Sequence, residues 1–233
     1  PERPEVYYQL EWCIRGMARA CRALGVPVVS GNVSLYNESR GQAIYPTPVV
    51  GGLGLLEDAS RHAQSSFPEE GLVVALLGQD AFRPRTPDLA GSEYLQVVRG
   101  LVAGRPAIDL SLERRVQELC RWAIREGVAA SAHDCSDGGL AVALAECCIL
   151  GGVGFRGDVR VPRRWDAAMF GERQSRIVVS LAPEEWPRLE GMAAQSGVPI
   201  RRLGITGGDR FQWGPGLDLP LSDISDSWRT GLD

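Results

Sequence analysis

Residues 128–150 read VAASAHDCSDGGLAVALAECCIL. The first six, residues 128–133, form a short apolar run of strand length. Two acids, Asp134 and Asp137, then make a polar corner. The pair Gly138-Gly139 opens a longer apolar stretch, residues 138–150, which reads as a helix. A strand that enters a helix through such a corner is a unit of layered α/β architecture.

The same alternation runs outward in both directions. Residues 72–77 read as a buried strand and residues 92–102 as a helix. Asp109 or Ser111 caps a helix that runs to about Arg125, with Leu112, Val116, Leu119, Cys120 and Ile124 inward. Residues 176–181 and 198–205 read as strands, residues 183–195 as a helix, and residues 219–232 as a final short helix anchored by Trp228. The expected fold class is therefore α+β, in mixed α/β layers. Upstream, Pro4 starts an amphipathic helix with Val6, Leu10, Cys13, Ile14, Met17, Cys21 and Leu24 on one face, and Gly25 ends it. Residues 26–30 and 47–56 read as strands, the second interrupted at Gly51-Gly52. Residues 57–70 lack a pattern and read as a linker. One helix and two strands cannot close a core, so residues 1–56 are expected to pack on something else.

Composition sets outer limits. All 25 Lys+Arg residues of this 233-residue chain are arginine. No lysine means no Schiff base, no Walker-A lysine and no kinase-type lysine pair. ATP must then be met by backbone N–H groups, arginine or a metal, and arginine stays charged, so it is no proton-transfer base. A net charge of -4 argues against a dedicated nucleic-acid binder. The apolar runs are far shorter than the roughly 18–20 residues of a membrane span. The six cysteines show no CxxC spacing and sit mostly in apolar patterns, which reads as free thiols in a reducing cytoplasm. With only His62 and His133, a three-histidine metal site is excluded.

Four stretches could carry chemistry. In residues 28–37, VVSGNVSLYN, Gly31 allows a ligand close to the backbone, Asn32 offers a carbonyl oxygen to a hard cation such as Mg²⁺, and Ser34 offers a hydroxyl to a phosphate or sugar. The plain alternative is a Gly/Asn turn. In residues 131–140, the free N–H groups of a helix N-terminus suit phosphate, and Asp134 with Asp137 suits a bridging Mg²⁺. The alternative there is a helix cap from Asp137 with Asp134 as turn former. His133 and Asp134, adjacent on a strand, point to opposite faces and are not expected to form a dyad. In residues 170–176, FGERQSR, Glu172, Gln174 and Arg176 bind either a polar ligand or one another. Residues 206–209, TGGD, are a weak phosphate-loop pattern and read better as a hairpin turn.

Taken in order, PEVYYQLEWCIRGMARACRALGVPVVSGNVSLYNES, AIYPTPVVGGLGLLED, GSEYL, SAHDCSDGGLAVALAE and FGERQSRIVVS resemble one family, the synthetase subunit of phosphoribosylformylglycinamidine synthase (formylglycinamide ribonucleotide amidotransferase). The resemblance is to the C-terminal part of that subunit, which implies that the chain starting at Pro1 is a fragment. The family's subunit has two homologous halves, each similar to aminoimidazole ribonucleotide synthetase. The resemblance implies three parts here: residues 1–57, the end of an N-terminal-type subdomain; residues 68–213, a C-terminal-type subdomain; and residues 214–233, a tail helix. It also implies a carbon–nitrogen ligase of purine biosynthesis. ATP phosphorylates the formamide oxygen of formylglycinamide ribonucleotide, and glutamine-derived ammonia displaces the phosphate. The implied cofactors are ATP and Mg²⁺. The implied partners are the missing N-terminal half, a glutaminase subunit and a small accessory subunit. By resemblance Gly31 touches ATP, Asn32 ligates Mg²⁺, Ser34 touches substrate and Asp134 is a further metal candidate, while neither His62 nor His133 is catalytic. The fragment alone is expected to be inactive. The alternatives are a non-catalytic scaffold or auxiliary nucleotide-binding half, and a relative such as aminoimidazole ribonucleotide synthetase.

Overall fold

The structure is a computed structural model that describes residues 3–34, 38–214 and 216–231. The chain divides into two compact units, Pro1–Glu57 and Asp58–Asp233.

In the first unit, α1 (Pro4–Leu24) begins with a proline in its first turn and ends where Gly25 takes a left-handed conformation, its N–H donating to the Cys21 carbonyl. Of the residues of α1, only Val6 is buried. The short strands β1 (Glu38–Ser39) and β2 (Gln42–Ala43) form a hairpin, with Arg40 and Gly41 both at positive φ as a two-residue turn requires. The strands expected at residues 26–30 and 47–56 are not formed: both segments lack a ladder partner among the described residues. Their side chains are bare, with Val29, Val49 and Leu53 at 91%, 96% and 104% exposure. A strand needs a neighbour to satisfy its backbone, and one helix with a two-residue hairpin supplies none.

The second unit is built on β3 (Val73–Gly78), where all six residues are buried. Val73, Ala75 and Leu77 face one apolar cluster, and Val74 and Leu76 face another. The first cluster is completed by α3 (Leu110–Arg125) and α6 (Trp186–Ser196). The second is completed by α4 (Gly139–Gly151) and α5 (Trp165–Phe170), with Leu221 and Ile224 of α7 (Leu221–Thr230) packed against it. A strand covered on both faces reads as a continuous apolar run rather than an alternation. Around it the sheet orders as β4 (Ser131–Asp134), β6 (Arg176–Leu181), β3, β7 (Ile200–Thr206), β5 (Phe155–Gly157), β8 (Arg210–Trp213) and β9 (Leu217–Pro220). Every pairing is antiparallel except β5 with β8. The mixed α/β architecture matches the fold class expected from the sequence.

Several local readings change. The helix α2 (Glu93–Arg99) is shorter than residues 92–102, because Gly100 adopts a left-handed cap. In α3, capped by Asp109, Ala123 occupies the fully buried position while Ile124 is only half-buried. Trp228 is 51% exposed and donates to Glu146 Oε1 at 3.2 Å, so it is no core anchor. Residues 206–209 do not turn a hairpin, because β5 lies between β7 and β8. Gly154 and the turn clamp each other instead, through Gly207 N–H to Gly154 O and Gly154 N–H to Gly208 O, both 2.7 Å.

Four thiols are buried. Burial pushes those of Cys120 and Cys135 up to about 11 and that of Cys148 up to about 12, and moves Cys147 further the same way. They are neutral packing groups, not nucleophiles. No helix among the described residues is long and apolar enough to cross a membrane.

The segment read as a linker carries a structural anchor. Phe67 is fully buried beside Phe155, and its N–H donates to Cys147 O at 3.0 Å. The approach depends on Gly151, where an added Cβ would lie 2.1 Å from Phe67 O. Phe67→Ala should cost about 3–5 kcal/mol in urea denaturation. A loss below about 1 kcal/mol would return residues 57–70 to the status of a passive linker.

Candidate functional site

The first candidate corner lies outside any helix or strand. Gly31, Asn32 and Ser34 are all exposed, and no atom lies within 4 Å of where a Gly31 Cβ would point. Asn32 and Ser34 make no side-chain hydrogen bond among the described residues. The rest of the block, Leu35, Tyr36 and Asn37, lies outside the described residues. This corner presents a carbonyl oxygen, a hydroxyl and an unobstructed backbone, with no side-chain hydrogen-bond partner among the described residues.

The second corner is different, because it is already satisfied from within. β4 ends at Asp134, paired with Ile177 of β6. The Asp134 carboxylate is exposed and accepts a hydrogen bond from the Ser136 hydroxyl. Gly138 and Gly139 both take positive φ, 76° and 68°, to turn the chain into α4. Gly139 is also tight against α5, with an added Cβ 2.6 Å from Gly171 O. The helix has no side-chain cap from Asp137; its N-cap is Gly138. The Gly138 N–H donates instead to Glu172 Oε1 at 2.8 Å, across 34 residues. The same oxygen accepts from Glu93 N–H, the first residue of α2, at 2.9 Å. One carboxylate thus occupies the positive ends of two helices, and at the start of α4 it stands where the sequence suggested a phosphate.

His133 turns away from the corner. Its Nδ1 sits 2.7 Å from the Asp134 main-chain oxygen and its Nε2 3.4 Å from Glu146 Oε2, while the Asp134 carboxylate is 3.9 Å away. The ring lies between β4 and α4 as a packing and bridging group. The FGERQSR cluster also divides. Arg176 is buried and donates to the main-chain oxygens of Gly171 and Arg173, which shapes the turn. Desolvation pulls its pKa below the usual arginine value. Arg173 Nη1 reaches Asp88 Oδ1 at 3.4 Å, and the Gln174 amide donates to Glu172 O at 3.3 Å. Among the described residues no group of three or more His, Cys, Asp or Glu side chains clusters in a way that could hold a metal ion.

Sequence reasoning missed Glu172 as the helix pin and Asp88 as the partner of Arg173. The only signal for the first was negative: α4 opens on two glycines with no capping side chain, so its cap had to come from elsewhere. Glu172→Ala should lower stability by about 2 kcal/mol, and Glu172→Gln, which keeps an acceptor oxygen, by clearly less. Urea denaturation of the three proteins reads this directly, and equal stabilities would remove the pin.

Comparison with known proteins follows the same division of the chain. Residues 69–212 match the model for the AIR synthase related protein, C-terminal domain, and residues 1–56 match that for the N-terminal domain. Phosphoribosylformylglycinamidine synthase subunit PurL of Anaeromyxobacter sp. (strain Fw109-5) is 47% identical over 243 aligned residues, covering 100% of this chain and 31% of the relative. The same subunit of Thermomicrobium roseum is 50% identical over 237, covering 100% and 32%. The chain therefore spans about a third of the length of these curated relatives. Among solved structures, T. maritima PurL complexed with FGAR superposes with a TM-score of 0.60 at 19% identity, covering 72% of this chain and 30% of that one, which is a likeness of fold. On the match across residues 69–212, this chain belongs to the AIR synthase related family.

Proposed function

We propose that this chain is the C-terminal third of a phosphoribosylformylglycinamidine synthase synthetase subunit. In that role it contributes to the ATP-dependent conversion of formylglycinamide ribonucleotide and ammonia to formylglycinamidine ribonucleotide in purine biosynthesis. The observation that carries the reading is the match along the whole of this chain, at 47% and 50% identity, to about a third of subunits of that name. The ammonia would come from glutamine through a separate glutaminase subunit, with a small accessory subunit completing the assembly. The free thiols fit a reducing cytoplasm.

Gly31, Asn32 and Ser34 are the residues we assign to the ligand. Gly31 leaves the main chain open to a nucleotide phosphate. The Asn32 amide oxygen is a hard donor of the kind Mg²⁺ accepts, and Mg²⁺ takes its remaining ligands from water and phosphate. Ser34 presents a hydroxyl to the substrate. Bound Mg-ATP would supply the phosphoryl group and neutralise its charge. Asp134, in the second unit, is a separate and weaker metal candidate, since among the described residues its carboxylate joins no group of three or more that could hold a metal ion.

A second reading, a non-catalytic assembly module, draws on Glu172, which fills the α4 N-terminus where an auxiliary phosphate would lie. A chimera separates the two. In it, this chain replaces the matching stretch of the Thermomicrobium roseum subunit. ATP- and ammonium-dependent product formation is expected to survive the exchange, and Asn32→Ala is expected to reduce it roughly tenfold or more. A folded chimera without activity would contradict the assignment. An active chimera indifferent to Asn32→Ala would favour the scaffold.

A further inference from the structure

We draw no further inference here: the strongest candidate, the exposed apolar patch that α2 and the loop after it present at Val97, Val98, Leu101 and Val102 in the second unit, carries nothing because nothing in the structure shows what covers it.

Discussion

Burial of β3 on both faces is the constraint on which the second unit depends. A six-residue strand with no exposed position must be covered twice, so α3 and α6 lie on one side and α4 and α5 on the other. Its two antiparallel neighbours, β6 and β7, fix where everything else goes. β6 carries β4 on its outer edge, and β4 delivers the acidic corner to the start of α4. β7 carries β5, whose insertion before β8 explains why the glycine-rich turn at Gly207-Gly208 spans a strand instead of closing a hairpin. The corner chemistry is thus a consequence of how one apolar strand is enclosed.

The two corners contrast in how their polar groups are met. In the second unit the donors of α4 and α2 are served by Glu172, and Asp134 is engaged by Ser136. Helix ends buried in this way need an internal anion when no ligand is bound. In the first unit, Asn32 and Ser34 have no such internal service among the described residues, and the apolar side chains around them, Val28, Val29 and Val33, are exposed. Polar atoms offered without internal partners are those able to exchange water for a ligand at little cost.

Much of the second unit was legible because its signals are local. The run LVVALL announces a buried strand and Asp109 the start of α3, and in the first unit Gly25 ends α1 through a conformation that glycine adopts readily. What was not legible depends on distant pairing. Residues 26–30 and 47–56 have strand-like composition, but a strand exists only with a neighbour. Phe67 sits in a stretch with no period, and its place in the core is set by contact with α4 and Phe155. Glu172 acts across 34 and 79 residues, a separation that no helix or strand period encodes. Trp228 has the composition of an anchor, yet Leu221 and Ile224 do that packing. Of the candidate site, the residue types of the Gly31–Asn32–Ser34 corner were readable, because their chemistry lies in their own atoms. The self-satisfaction of the Asp134 corner was not, because it is made by other elements.

Amide hydrogen exchange over this chain within an active chimeric subunit, with and without Mg-ATP, tests the central claim most directly. The account predicts slowed exchange at Gly31, Asn32 and Ser34, with the Gly138 and Glu93 amides unchanged because Glu172 already holds them. Protection confined to Gly138 and Glu93, with none at Gly31, Asn32 and Ser34, would contradict it.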